Sequence, residues 1–289
     1  MQVTPGAGEH MNRKSGSHRS PRGITLHTFE WLPDAGPQGV VIIAHGYGEH
    51  SGRYGKLARD LNARGFAVHA LDFASHGKSA GRRGEVSSLE DFIADLHSFT
   101  IEIRGRWPGL PAGLLGHSFG GAVAAALCIR EPGLVDALVL SSPYLRHGKP
   151  VPPPLLALVQ VLSRVAPRVP VQKVEQAALS RIPAEVEAYR SDPLVYKGGV
   201  SAGTAMQLTR GREVIDRAPD LQLPLLVVHG DADRISHHLG SREFVDRVGS
   251  PRVTFELIGG GYHELLNDLD GDRMRDRICD WLQAQLPEE

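Results

Sequence analysis

Residues 113–121 read Gly113-Leu114-Leu115-Gly116-His117-Ser118-Phe119-Gly120-Gly121. A short apolar run ends in Gly-His-Ser-Phe-Gly, and a stretch of small residues, GGAVAAALC, continues from Gly120. That pattern predicts a buried strand turning sharply into a helix, with Ser118 strained at the tip. Side chains two positions either side of the serine would collide in such a turn, so the glycines at 116 and 120 are what it requires. The start of the following helix also points its positive end at Ser118, which suits a site where negative charge develops.

Working outward, residues 39–45 (GVVIIAH) form a nearly continuous apolar run rich in β-branched residues, the signature of a strand covered on both faces. Residues 66–72, 137–141 and 225–229 repeat it, and residues 252–258 do so with more polar content, as befits a strand nearer an edge. Helical patterns fall between them at 53–64, 88–106, 119–130, 237–248 and 272–285. This alternation predicts an α/β protein with a mostly parallel central sheet and helices on both faces. Residues 23–32 alternate weakly and read as an antiparallel edge strand.

The rhythm breaks from Pro143 to Arg217, where prolines cluster at 150 and 152–154 and no core strand is legible. Leu155, Leu158, Val159 and Leu162 recur at helical spacing, with further helices expected at 171–181 and 202–214. An insertion this long is not a structureless loop. It is expected to form a helical cap (143–217) over the carboxyl ends of the strands, where open α/β sheets bind ligands. The core then comprises 23–142 and 218–289, with 1–22 a disordered tail rich in Gly, Ser and basic residues.

A nucleophilic serine needs a base beside it and an acid behind the base. When the serine sits on such an elbow, the chain order is serine, then acid, then histidine, the order of the α/β-hydrolase fold. After the strand at 225–229 comes HGDADR (229–234), and after the strand at 252–258 comes GYHE (261–264). His263 is therefore the expected base. Asp231 and Asp233 compete as the acid. Asp233, at the tip, is favoured, and Asp231 reads as a cap for the turn. The amides of Phe119 and Tyr47, the latter in His45-Gly46-Tyr47-Gly48, are the expected donors to a developing oxyanion.

Thirty-two basic and 33 acidic residues nearly cancel, which gives no electrostatic reason for a nucleic-acid partner. The two cysteines, Cys128 and Cys279, read as buried free thiols. No spaced His/Cys cluster suggests a metal site, and no cofactor is expected. With no apolar run near membrane-spanning length and no signal-like segment, a cytoplasmic enzyme is expected, with transient membrane contact through the cap left open.

Several blocks carry a resemblance. HGYGEHSGRY (45–54), GHSFGG (116–121), AYRSDPL (188–194), HGDADR and GYHE are similar to the signature of the monoacylglycerol lipase and lysophospholipase-like family, over about residues 24–286. The likeness implies ester hydrolysis of a small lipid, with Ser118, Asp233 and His263 as triad and Tyr47 and Phe119 as amide donors. It also implies that Glu49, Arg53, His117 and Tyr189 lie near a polar pocket for a glycerol head group. An ion pair between Glu49 and Arg53 that fixes the oxyanion loop is an equal reading of those two. Leu155, Leu158, Val159 and Leu162 are expected to line an acyl tunnel or to pack the cap onto the core. The sequence departs from the family at residues 72–79 (DFASHGKS), which lack the usual arginine and first glycine. A general carboxylesterase, a lysophospholipase, a carbon–carbon bond hydrolase or a cofactor-free haloperoxidase would carry the same triad. A non-catalytic binding protein would be expected to have lost part of it.

Overall fold

The structure is a computed structural model and describes residues 13–286. Eight strands build the main sheet: β1 (Arg13–Arg19), β2 (Thr25–Trp31), β3 (Gly39–Ala44), β4 (Phe66–Leu71), β5 (Ala112–His117), β6 (Ala137–Ser141), β9 (Leu225–Gly230) and β10 (Val253–Ile258). A separate two-stranded pair, β7 (Pro170–Gln172) and β8 (Val200–Ser201), lies between β6 and β9 in the chain. The sheet order is β1-β2-β4-β3-β5-β6-β9-β10. β1 and β2 pair antiparallel, and every contact from β4 to β10 is parallel.

Every residue of β3, β4, β5, β6 and β9 is buried, which is why these strands read as unbroken apolar runs. Alternate side chains serve opposite faces. Val40, Ile42 and Ala44 join one core cluster and Val41 and Ile43 the other. Helices α2 (Leu89–Arg106), α3 (Ser118–Arg130) and α8 (His238–Val245) cover the first face, and α1 (Gly55–Asn62) and α9 (Gly271–Gln285) the second. Ser88 starts α2 by accepting the Asp91 amide at 3.0 Å, with Glu90 and Asp91 favourably placed in the first turn.

Four expectations need correction. Residues 13–19 of the expected tail form β1, because their backbone pairs residue for residue with β2. The segment at 23–32 is therefore the second strand and not an edge. Residues 1–12 lie outside the described residues. Residues 171–181 are not a helix: Pro170–Gln172 pairs with β8, and only the 3-10 turn Gln176–Ala178 is helical. The expected helix at 202–214 is two, α6 (Ala202–Leu208) and α7 (Gly211–Asp216). Gly211 packs so closely on Leu145 that a Cβ would lie 2.6 Å from its Cα. The insertion also holds α4 (Pro153–Val165) and α5 (Pro183–Ser191). Val214 and Ile215 of α7 join the core cluster that contains α3, so the insertion returns to the core before residue 217. Among the described residues, no helix is long and apolar enough to cross a membrane.

Candidate active site

Ser118 follows β5 directly and opens α3. Its φ is +51°, a left-handed conformation that a serine adopts only when its surroundings impose it. The flanking glycines supply the room. A Cβ on Gly116 would come 2.6 Å from the Gly120 carbonyl oxygen, and one on Gly120 would come 2.3 Å from the carbonyl oxygens of Ala44 and His45. The elbow thus packs backbone to backbone, and Ser118 projects beyond the carboxyl edge of the sheet.

Two loops from the same edge reach it. After β10, His263 brings Nε2 to 2.9 Å from Ser118 Oγ, positioned to accept the hydroxyl proton. After β9, Asp233 accepts the other ring nitrogen, Nδ1–H, at 2.7 Å. Asp233 is held from all sides. Its Oδ1 accepts the amides of Ile235 (2.8 Å) and Ser236 (3.0 Å), while His229 Nε2 lies 3.3 Å from Oδ2. Burial disfavours the Asp233 carboxylate, but His263 and His229 outweigh it and hold its pKa far below the usual range. Burial likewise disfavours a charged His263, yet Asp233 raises its pKa above the ordinary value. The competing aspartate stands aside: Asp231 accepts the Gly260 amide at 2.6 Å, a turn cap.

His229 was not singled out by the sequence as part of this row. It is fully buried, its Nδ1 meets Ser241 Oγ at 2.7 Å, and its Nε2 donates to the Ser236 carbonyl at 3.0 Å as well as facing Asp233. Its place as the last inward residue of β9, four before Asp233, was the available signal.

The loop after β3 forms the opposite wall. Gly46 presses on the nucleophile, since a Cβ there would lie 3.1 Å from Ser118 Cβ. Glu49 pins this loop through Oε1, which accepts the Gly46 amide (2.7 Å) and the Tyr54 hydroxyl (2.8 Å). Its Oε2 takes Arg53 at 2.7 Å, and Arg53 also grips both oxygens of Glu264 at 2.7 Å. Burial opposes the Glu49 charge, but Arg53 and then His117 lower its pKa to about 2. The same burial, with His263 nearby, pushes His117 down to about 4, so its ring is neutral beside His263, 4.9 Å between centroids. Tyr189 stacks under the Arg53 guanidinium at 4.8 Å. Of the two readings of Glu49 and Arg53, the ion pair is present. Glu49 also faces the cavity over Ser118, whereas Arg53 faces a separate hollow of about 20 Å³ beside Tyr54 and Glu264. Glu264 was missed because nothing in its spacing predicts a partner 211 residues away.

A cavity of about 200 Å³ opens over Ser118 and His263. Tyr47, Glu49, His117 and Tyr189 line it. Its apolar wall differs from expectation. Leu155, Leu158, Val159 and Leu162 are not among the lining residues. Tyr144, Val174, Leu179, Val200, Leu208 and Ile235 take that place. Helix α4 has no fully buried residue: Leu155 and Leu158 are exposed, and Val159 and Leu162 are half-buried. The actual wall comes from short irregular pieces without periodicity. Among the described residues, no group of three or more His, Cys, Asp or Glu is arranged to hold a metal ion.

Comparison with known proteins agrees with this geometry. Residues 35–270 match the family described as serine aminopeptidase, S33. The chain is 40% identical to a monoacylglycerol lipase of Mycolicibacterium smegmatis, covering 91% of this chain and 95% of that one. It is 34% identical to a human monoglyceride lipase over 86% of this chain and 82% of the relative. The crystal structure of a Paleococcus ferrophilus monoacylglycerol lipase superposes with a TM-score of 0.81 at 32% identity, covering 90% of this chain and 99% of that one. By sequence and fold together, the chain belongs to the monoacylglycerol lipase family of α/β-hydrolases.

Proposed function

We propose that the chain hydrolyses the ester bond of monoacylglycerols, releasing a fatty acid and glycerol. Ser118 Oγ attacks the ester carbonyl as its proton passes to His263 Nε2. Asp233 steadies the imidazolium through Nδ1–H. The tetrahedral oxyanion rests on the amides of Tyr47 and Phe119, each worth about a hundred- to a thousandfold in rate. His263 then protonates the departing glycerol oxygen. A water that gives its proton to the same histidine attacks the acyl-enzyme, and collapse frees the fatty acid and Ser118.

One observation carries the reading: an unbroken row from Ser118 through His263 to Asp233 opens into a cavity with one polar and one apolar wall. The polar wall, at Glu49, His117 and Tyr189, takes the glycerol hydroxyls. The apolar wall, at Leu179, Val200, Leu208 and Ile235, takes the acyl chain. The insertion acts as a cap, and its outer face meets the lipid surface from which substrate is drawn. The test is hydrolysis of a chain-length series of monoacylglycerols, with di- and triacylglycerols alongside, and fluorophosphonate labelling of wild type and Ser118→Ala. The expected outcome is labelling that vanishes in the variant and kcat/KM that climbs with acyl length on monoacylglycerols. A profile that falls beyond short chains indicates a general carboxylesterase instead.

A further inference from the structure

Helix α4 is exceptional in having no buried residue. Leu155, Leu158, Val161 and Val165, spaced by three, three and four, are 49%, 54%, 54% and 73% exposed. That spacing lines them along one side of the helix, and Leu156 and Val169 add further exposed apolar surface. Water alone gives no reason to keep such a stripe uncovered.

The charge around it is as uneven. Residues 143–174 hold Arg146, Lys149, Arg164, Arg168 and Lys173 and not one acid. Across residues 143–217 eleven Lys and Arg stand against six Asp and Glu, a net +5, which leaves −6 for the rest of a chain whose formal charge is −1. All five cations of the first stretch are exposed. Among the described residues only Lys149 has a carboxylate partner, Glu175 at 3.7 Å, and Glu175 is shared with Arg234 at 2.9 Å. The same segment supplies Tyr144, His147, Lys149, Gln172 and Lys173 to the cavity over Ser118. Lys173, one of the unpaired cations, thus lines the cavity itself, and the stripe belongs to the same continuous segment.

We propose that this surface docks on a bilayer bearing anionic head groups, and that charge decides which membrane is chosen. This rests on the lipid-facing reading of the cap and adds its selectivity. A stripe of exposed leucines and valines on a helix flanked in sequence by Lys and Arg is the make-up of a segment that lies in a membrane interface. A second copy of the chain fits less well, because a symmetric contact would set the cation-rich segment against itself. Each cation within a Debye length of an anionic leaflet raises partitioning about fivefold, so four unpaired cations give an anionic bilayer an advantage of about a hundredfold or more.

The experiment is co-sedimentation of the full chain with vesicles of phosphatidylcholine alone or with a third of the lipid replaced by phosphatidylglycerol, at about 0.1 M and about 0.5 M salt. Wild type, Arg164→Glu/Arg168→Glu and Val161→Ser/Val165→Ser are compared. Hydrolysis of a water-soluble short-chain ester is followed in parallel. The expected result is strong preference for the anionic vesicles, loss of most of it at high salt, and a tenfold or greater loss in the charge-reversed variant. Turnover of the soluble ester stays unchanged. Equal binding to both vesicles overturns the selectivity and leaves docking standing. Binding to neither, with the soluble ester still turned over, overturns docking as well while sparing the Ser118 chemistry. A salt-insensitive dimer that the Val161→Ser/Val165→Ser variant dissociates assigns the stripe to self-association and overturns the proposal.

Discussion

The floor of the cavity and its roof are built on opposite principles. On the floor, Asp233 has both oxygens occupied and Glu49 has three donors. On the roof, the apolar wall is assembled from separate short pieces, mostly of the insertion, and the neighbouring α4 has no fully buried residue. The contrast teaches where geometry must be tight. Proton transfer along Ser118–His263–Asp233 requires hydrogen-bond distances, whereas an acyl chain asks only for an apolar surface of suitable length. The largest expected effect lies in the floor. Ser118→Ala should abolish turnover, and Asp233→Asn should lower kcat by about ten-thousandfold with the fold intact. The pH profile sharpens the point. Because Asp233 raises the His263 pKa, kcat/KM should rise with pH through a half-point above 6.5, and residual activity of Asp233→Asn should show that half-point moved down.

Next in size is the ion-pair cluster that pins the oxyanion loop. The side chains of Arg53, Glu49 and Glu264 are 11%, 5% and 6% exposed. Removing the shared cation strands two buried carboxylates, a loss of about 3–5 kcal/mol. Arg53→Met should therefore lower Tm by several degrees and kcat by tens-fold, even though Arg53 does not face the cavity over Ser118. Glu49 gives a pH signature. Its pKa is held at about 2 against an ordinary value of 4.5, so its stabilising contribution is complete above 4.5 and is lost as pH falls toward 2. Glu49→Gln should flatten urea-measured stability across that window. An unchanged slope would remove Glu49 from the cluster's electrostatics.

Legibility in the sequence follows the same division. The elbow, the five fully buried strands and the order serine–acid–histidine could be read because sterics and burial leave a local trace: glycines two from Ser118, β-branched runs, strand-end positions. Asp231 and Asp233 could not be separated by spacing alone. Both accept backbone amides in the structure, and Asp233 also accepts the His263 imidazole, which sets it apart. The insertion misled where periodicity was taken as burial. Leu155, Leu158, Val159 and Leu162 do repeat like a core-facing stripe, yet on α4 Leu155 and Leu158 are exposed and Val159 and Leu162 only half-buried. Tyr144, Leu208 and Ile235, which do line the cavity, lie on separate elements with no shared period. β1 escaped notice because its sequence, RKSGSHR, is polar. A sheet edge open to water needs no apolar run, and basic residues and glycine there also discourage pairing with other chains.

His229 offers a finer probe of the floor. With Nε2–H shared between the Ser236 carbonyl and Asp233, it supplies a second imidazole donor to the carboxylate that orients His263. His229→Ala removes that donor and leaves the triad in place. Asp233 becomes a stronger acceptor for His263, so the acid limb of kcat/KM should shift to higher pH, with kcat lowered about tenfold or less. A lowered kcat with an unmoved limb would mean that His229 only fills space.

The smallest effect belongs to the roof. Leu208, on α6, reaches the cavity as part of the apolar wall, and 8% of it is exposed. Leu208→Trp adds bulk to a cavity of about 200 Å³, and so should leave short monoacylglycerols unaffected while cutting kcat/KM for long ones. Each acyl methylene denied burial forfeits up to about 0.8 kcal/mol, roughly fourfold. The expected reading is a change in the slope of ln(kcat/KM) against chain length, not a uniform drop. A uniform drop would show the substitution disturbing Ser118 through α3. An unchanged slope would place the acyl chain along another wall. Only the change in slope separates a residue that measures the substrate from one that holds the catalyst together.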